Sequence, residues 1–285
     1  MLAAAQQLLD CATLAPHPVP DLVGGEAGAT LGLLACAAVF GEGVNLERAA
    51  ECGARLAARV STLFGDVTAQ RPDDALTGLS HGASGMAVAL AEIDNARPDR
   101  SLTRAQEHAL RFERHHFSPI DGNWPDFRHP EVNGIKHYGS AWCHGAPGIA
   151  LARLRLRQFG ATNADLEVEA RTALGATAEF TSRALHSGRY NTSLCHGLAG
   201  NAEILWQGRD LDLSHGSLAC EVAAEVARRF TGRQIGWPCP MPGGEHPGLM
   251  VGLAGTALFY LRLHAPSLPS LLLLRPDEWL ATSTA

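Results

Sequence analysis

A glycine motif that recurs five times constrains the fold of this chain more than any other feature of its sequence. Each copy reads Gly-x-x-Gly followed by a short apolar stretch, and the copies begin at Gly25, Gly82, Gly145, Gly197 and Gly252. The spacings of 57, 63, 52 and 55 residues are typical of a repeated supersecondary unit. A single copy is typical of a tight turn without chemistry, whereas five copies at a near-constant period indicate a repeat architecture.

Longer segments with helical periodicity lie between the glycine motifs. Apolar residues recur at intervals of three and four from Leu46 to Leu63, and similar stripes cover 166–174 and 218–230. No comparable stretch alternates with the period of two that a half-buried strand shows. The pattern predicts an all-α fold built of helical hairpins. We expect these to form a ring, an α/α toroid, with short apolar helices inside and amphipathic helices outside.

Composition and charge exclude several classes of protein. Apolar residues make up 46% of the 285 residues and charged residues 18%, a globular composition able to bury a sizeable core. The net charge of −6 argues against a nucleic-acid partner. The aliphatic run Leu271 to Leu274 is far too short to be a transmembrane segment, and the first residues lack the basic region of a signal peptide. Seven cysteines, an odd number, favour reduced thiols and a cytoplasmic protein.

Three of the five motifs carry a titratable or metal-binding residue directly before the first glycine. These residues are His81, Cys143 with His144, and Cys195 with His196. In a toroid the motif turns lie at the same end of the barrel, so these residues would converge. Two thiolates and one imidazole suit zinc, and three protein ligands leave a fourth position open for catalysis. Each residue alone is typical of a buried thiol or a capping histidine, and the spacing leaves both His144 and His196 as candidate ligands.

The sequence resembles the lanthionine synthetase C-like family, and in particular the C-terminal cyclase region of class II lanthipeptide synthetases. The resemblance runs from about Asp21 to Leu263, and the ordered pair of WCHG and CHG motifs is its most specific part. It implies an α/α toroid with one zinc ion and a single cyclase domain over residues 1–285. The matching segments are PDLVGGEAG, LTGLSHGASGMA, NWPDFR, WCHGAPGIALARL, SLCHGLAGNAEIL and PGLMVGLAGTALFYLRL.

The resemblance also implies roles for individual residues. Cys143, Cys195 and His196 would hold the zinc ion, which resolves the choice between the two imidazoles. The reaction would be addition of a cysteine thiol of a dehydrated precursor peptide to dehydroalanine or dehydrobutyrine, and a dehydratase partner would act beforehand. Zinc would activate the thiol, and His81 would carry the proton to the α-carbon. Asp21 would orient or charge-stabilise that imidazole.

The chain departs from the family in its length. Complete toroids of the family have seven hairpins, whereas five glycine motifs are present here and only twenty residues precede Asp21. We therefore expect this chain to lack the N-terminal hairpins and the upstream dehydratase domain of a class II synthetase. A fragment, a split gene product and a shortened stand-alone cyclase all remain open, and an open ring would expose apolar surface.

Three other functions are compatible with parts of the sequence. The first is a non-catalytic, zinc-stabilised module that binds peptides or thiols, with His144 closing the site as a fourth ligand. The second is an inactive fragment of a bifunctional synthetase. The third is a glycosidase on the same fold, which needs two placed carboxylates, and only Asp21 and Glu26 accompany a glycine motif.

A long polar connection, residues 118–141, contains Trp124, Asp126 and Arg128. Connections of this length in a compact helical domain are often functional. The composition is equally typical of a solvated surface loop, and the sequence does not choose between the two.

Overall fold

The computed structural model describes residues 17–40, 43–159, 164–233 and 235–277. Its regular secondary structure is helical, and four isolated β-bridges are present in place of strands within these ranges. The described α-helices are α1 Glu26–Phe40, α2 Gly43–Phe64, α3 Ala83–Ala96, α4 Arg100–His116, α5 Ala146–Leu156, α6 Ala164–Ser187, α7 Leu198–Gln207, α8 Leu213–Phe230 and α9 Leu253–His264, and a 3₁₀ turn, Arg157–Phe159, follows α5.

The chain divides into two compact units. The first unit is Met1–His116 with Leu273–Ala285, and it contains α1 to α4. The second unit is Phe117–Leu272, and it contains α5 to α9. That residues 1–285 form one cyclase domain stays a prediction.

Helical hairpins form two layers within each unit. In the first unit α1 pairs with α2 and α3 with α4, while α1 also packs on α3 and α2 on α4. In the second unit the hairpins are α5 with α6 and α7 with α8. There the short helices α5, α7 and α9 contact one another in sequence, and α6 contacts α8. The predicted unit, a short helix followed by a longer one, is therefore confirmed for these pairs.

The two layers differ in how they bury their residues. Every residue of α5 and every residue of α3 from Ala83 to Ile93 is buried, as expected for short apolar helices of an inner layer. By contrast, α2 buries one stripe, which includes Ala49, Leu56 and Val60 of the predicted pattern. Such one-sided burial is the behaviour of an amphipathic helix on the outside of a core.

A shared backbone turn explains the glycine motif. In four turns the first amide of the helix donates to the carbonyl oxygen seven residues earlier, which satisfies a helix-end donor. At the second glycine of one motif, Gly200, a Cβ would overlap the carbonyl oxygen of Leu194, so only glycine allows this approach. The four bonds run from Glu26 to Val19 (3.2 Å), Ala83 to Leu76 (2.9 Å), Leu198 to Asn191 (2.9 Å) and Leu253 to His246 (2.7 Å).

Within the described part of the chain, no helix combines the length and the apolar character needed to cross a membrane.

Candidate functional site

The turn before α5 carries Cys143. Ala141 and His144 exchange both backbone hydrogen bonds across it, at 3.1 and 3.2 Å, so the four residues close a tight loop. Gly145 follows with φ +83°, and a Cβ there would overlap the carbonyl oxygen of Gly139. The positive φ and the close approach therefore both require glycine at this position. The Cys143 thiol is thus carried by a turn whose backbone has little conformational freedom.

Asn123 replaces the backbone carbonyl that caps the other four turns. Its Oδ1 accepts hydrogen bonds from the amides of Ala146 (2.9 Å) and Trp124 (2.8 Å). Its Nδ2 donates to the carbonyl oxygen of Gly139 at 2.9 Å, the group that would otherwise receive the Ala146 amide. Asn123 is 7% exposed, and it ties the start of α5 to the connection before it. Sequence reasoning missed Asn123, although it opens the NWPDFR segment.

A second asparagine supports the turn before α7, which carries Cys195 and His196. Asn191 Nδ2 donates to the carbonyl oxygen of His196 at 3.1 Å, and its Oδ1 accepts the amide of Ser193 at 3.0 Å. The amide of Cys195 donates to the carbonyl oxygen of Met250 at 2.8 Å. The same residue type thus stabilises both of the cysteine-bearing turns.

The structure brings Cys143, Cys195 and His196 together. One side-chain ligand atom from each lies within 4.8 Å of the others, with both thiols half-buried and the imidazole exposed. His144 is buried and is not part of this group among the residues that the structure describes. Both cysteines are free thiols. That these three residues are metal ligands stays a prediction.

Hydrogen bonding polarises the two thiols in opposite directions. A hydrogen bond from Cys195, opposed by burial and reinforced by His196, lowers the pKa of Cys143 to about 4. The same hydrogen bond, together with burial, raises the pKa of Cys195. The two thiols are therefore coupled through one hydrogen bond, which stabilises a thiolate within the pair. A pair of this kind accepts a cation readily.

The donor set fits a zinc ion. Zinc–sulfur bonds of about 2.3 Å and zinc–nitrogen bonds of about 2.0 Å place tetrahedral ligand atoms roughly 3.5–3.8 Å apart, and the three ligand atoms here all lie within 4.8 Å of one another. No fourth histidine, cysteine or carboxylate joins the group among the described residues. Three soft or borderline donors with a fourth direction left over are the pattern of catalytic zinc sites.

His81 and Asp21 form a pair within the first unit. His81 Nδ1 lies 2.7 Å from Asp21 Oδ2, and the other carboxylate oxygen accepts the amide of Gly24 at 2.7 Å. The amide of Leu22 donates to the carbonyl oxygen of Ser80 at 3.1 Å, which joins the two turns. Asp21 is buried and the His81 side chain is 38% exposed. A buried carboxylate thus orients a reachable imidazole, and their catalytic roles stay predictions.

Glu113 of α4 fastens the turn that carries His81. Its Oε1 accepts the amides of Gly78 (2.9 Å) and Ser84 (3.2 Å), and its Oε2 accepts the Ser84 hydroxyl at 2.6 Å. The residue is fully buried. Sequence reasoning missed this carboxylate because it lies in the last turn of a polar helix, far from any glycine motif.

The connection 118–141 is folded, and two of its three singled-out residues are buried. Trp124 packs on Phe117 with ring centroids 4.7 Å apart. Asp126 accepts a two-point salt bridge from Arg128, with Nε at 2.9 Å from Oδ1 and Nη2 at 2.6 Å from Oδ2. Burial alone would raise the pKa of Asp126, but the Arg128 hydrogen bonds lead the causes that lower it to about 2. A loop that is fully exposed to solvent would not contain a buried tryptophan and a buried carboxylate with a salt-bridge partner.

Comparison with known proteins identifies the family. The family model described as lanthionine synthetase C-like protein matches residues 2–273. The chain belongs to this family. It is 26% identical over 192 residues to the lacticin 481/lactococcin biosynthesis protein LcnDR2 of Lactococcus lactis subsp. lactis, a match that covers 64% of this chain. The chain spans only about a fifth of that relative, 20% of its length.

A solved structure, that of nisin cyclase, shares the fold. It matches with a TM-score of 0.60 and 16% identity, over 94% of this chain and 68% of the other. The predicted fold class, an all-α toroid of helical hairpins, is confirmed by this likeness.

Proposed function

We propose that this chain is a zinc-dependent cyclase that forms lanthionine and methyllanthionine thioethers in a dehydrated precursor peptide. The observation that carries the proposal is the meeting of Cys143, Cys195 and His196 within 4.8 Å. These residues lie on two separate motif turns of a chain in the lanthionine synthetase C-like family. The names of two similar proteins, a lacticin 481/lactococcin biosynthesis protein and a nisin cyclase, support the same reaction class.

In this proposal Cys143 and Cys195 bind the metal as thiolates and His196 binds it as a neutral imidazole. Zinc held by these three residues would supply the Lewis acidity that favours the thiolate form of a substrate cysteine. Asn123 and Asn191 keep the two turns in place, so the three ligands need little rearrangement.

The chemistry is an addition that needs one proton transfer. The peptide sulfur bonds to the β-carbon of dehydroalanine or dehydrobutyrine as the carbon–carbon π bond breaks, and the electron pair moves onto the α-carbon and its carbonyl. His81 then donates a proton to the α-carbon from the nitrogen that is not bonded to Asp21. Asp21 stabilises the protonated ring. The proton released by the substrate thiol restores His81, so the net reaction is an isomerisation.

The competing functions have less support. A closed, structural zinc site would need a fourth ligand, and the group around Cys143 has three members among the described residues. A glycosidase would need two placed carboxylates, whereas Asp21 is bonded to His81 and the buried Glu26 is paired with Arg55 at 2.9 Å. The proposed cyclase also requires a reaction that dehydrates serine or threonine of its substrate, and a dehydratase partner would supply it.

The proposal is tested with a synthetic peptide that carries one dehydroalanine and one cysteine. Cyclisation leaves the mass unchanged, so thiol alkylation followed by mass spectrometry counts the cysteines that remain free. We expect the wild-type chain to consume the thiol faster than the uncatalysed reaction, and Cys195→Ala to lose both this rate and the bound zinc. A wild-type rate equal to the background, in protein that contains zinc, would refute the proposal.

His81→Ala separates catalysis from metal binding. It should keep its zinc and its helical circular dichroism spectrum while the rate falls by roughly 10²–10⁴-fold, the usual contribution of a positioned acid or base. Asp21→Asn should keep zinc and show a smaller loss, because it acts through His81. Loss of zinc in His81→Ala would mean that His81 is a ligand and that the assigned roles are wrong.

A further inference from the structure

A small β-hairpin, residues 125–138, lies in the connection before Cys143. Val132 and Ile135 exchange backbone hydrogen bonds at 3.1 and 3.0 Å, and Pro125 bridges to Tyr138 further down. The two turn residues, Asn133 and Gly134, both have positive φ, at 54° and 78°. An Asn-Gly pair with this geometry is the preferred two-residue hairpin turn. The hairpin therefore has a defined backbone of its own.

Three metal-binding side chains meet on this hairpin. Asp126 Oδ2 lies 3.8 Å from His129 Nε2 and 4.0 Å from His137 Nδ1, and the two imidazole rings have centroids 4.3 Å apart. Backbone bonds fix the three residues to one another, because the Asp126 amide donates to the His137 carbonyl oxygen at 2.8 Å and the His129 amide donates to the Asp126 carbonyl oxygen at 3.2 Å.

We propose that Asp126, His129 and His137 form a second site for a divalent transition-metal ion, which shares no ligand with the cysteine site. Two imidazoles and one carboxylate suit zinc(II) and its borderline neighbours, and three protein ligands leave positions for water. Metal–ligand bonds of about 2.0–2.1 Å place neighbouring ligand atoms roughly 3.3 Å apart. The two observed distances from Asp126 Oδ2, 3.8 and 4.0 Å, are longer than this, and small rotations of the two histidines can close the difference.

The three side chains differ in solvent exposure in a way that suits metal binding. The Asp126 side chain is 3% exposed, whereas those of His129 and His137 are each 54% exposed. The anionic ligand is held in place in advance, and the two neutral ligands remain within reach of an ion from solvent. An arrangement of this kind loses little side-chain entropy on binding.

Arg128 forms a salt bridge with the Asp126 carboxylate that is compatible with a bound metal. A carboxylate offers about four lone-pair directions. The Arg128 guanidinium takes one on each oxygen, and the Arg128 amide donates to Oδ1 at 3.2 Å. Oδ2 therefore keeps acceptor capacity, and it is the oxygen that lies within 4.0 Å of both histidines. Arg128 then acts as an outer partner that orients the ligating carboxylate, as such partners commonly do. Its positive charge makes the site weaker than the cysteine site.

The test is zinc titration of chain stripped of metal with a chelator. The double variant Cys143→Ser/Cys195→Ser removes the first site, and we expect it to retain one weaker zinc ion per chain. Adding His129→Ala and His137→Ala to this background should weaken the remaining binding by at least about 10-fold. A matched control, His186→Ala with His264→Ala, removes two other exposed histidines and should leave it unchanged.

A second measurement, the zinc content of chains that keep both cysteines, does not depend on correct folding of the cysteine variant. Zinc analysis should give two ions per wild-type chain and one in His129→Ala/His137→Ala. The proposal is overturned if the wild-type chain holds no more zinc than that variant, or if the control histidines reduce binding equally. These outcomes do not depend on whether the chain cyclises peptides.

Discussion

Removing the side chain of Asn123 should destabilise the second unit by about 3 kcal/mol. Three hydrogen bonds are lost in Asn123→Ala, those from the amides of Trp124 and Ala146 and that to the carbonyl oxygen of Gly139. Each is worth about 1 kcal/mol net, and the two buried amides left without an acceptor add to the cost. The change also frees the Cys143 turn, so zinc affinity should fall by about 10–100-fold, as for other outer partners of a metal site.

Asn191→Ala is the matched control because it removes a similar amide from the other ligand turn. Asn191 is only partly buried, and its bond to the His196 carbonyl oxygen is exposed to solvent. Water can replace that bond, so the expected loss of stability is about 1 kcal/mol. The residue type is the same in both variants, so the difference in their free energies of unfolding tests whether burial of the side-chain amide determines the loss of stability.

The assay is guanidinium unfolding of metal-stripped chain, followed by tryptophan fluorescence and by circular dichroism. Working without zinc matters, because a ligand of the folded state would add its own binding energy to the result. The two probes must give coincident transitions for the free energies to be comparable. A loss below about 1 kcal/mol in Asn123→Ala, or an equal loss in Asn191→Ala, would refute the reasoning.

Three further perturbations test other parts of the structure by the same unfolding assay. Arg262→Met should lower the free energy of unfolding by about 3–5 kcal/mol, because it removes the cation that pairs with Glu203 at 2.6 Å and leaves a carboxylate that is only 1% exposed without its charge partner. The double variant Arg262→Met with Glu203→Gln should recover part of this loss. Gly200→Ala should destabilise because its Cβ would overlap a carbonyl, whereas Gly175→Ala, in an open position of α6, should stabilise by up to about 1 kcal/mol. Folding lowers the pKa of Asp126 to about 2, so its carboxylate stabilises the folded state above the unfolded pKa. This stabilisation is lost as the pH falls from about 4 towards 2. Asp126→Asn should therefore remove this part of the dependence of stability on acid.

The hairpin fold could be predicted because its signal repeats. A helix of the Leu46 to Leu63 kind is a weak prediction alone, but five glycine motifs fix where each short helix begins. All five described short helices start immediately after the first glycine of their motif, from Glu26 after Gly25 to Leu253 after Gly252. The hairpin around Asn133 contains an Asn-Gly turn signal, but its flanking residues do not alternate cleanly, so the sequence predicts only a polar connection there.

The side chains that hold the turns could not be predicted. Glu113 of α4 and Ser84 of α3 are 29 residues apart in the sequence. Asn123 precedes Cys143 by twenty residues, across most of the polar connection. Tertiary packing determines which side chain accepts a hydrogen bond from such an amide, since any acceptor within reach can satisfy an amide that lacks a backbone partner. No local pattern distinguishes Asn123 or Glu113 from the other polar residues around them.

The choice between His144 and His196 shows the same limit at closer range. Both follow a cysteine and precede a glycine, so their immediate neighbours in the sequence are identical. Their backbones differ: the glycine after His144 has φ +83°, whereas Gly197 is extended at −123°. The difference follows from what completes each turn, because Asn123 takes the helix amide in the first and the Asn191 carbonyl oxygen takes it in the second. One CHG turn buries its imidazole and the other exposes it, and the groups that complete the two turns lie on asparagines outside the motif.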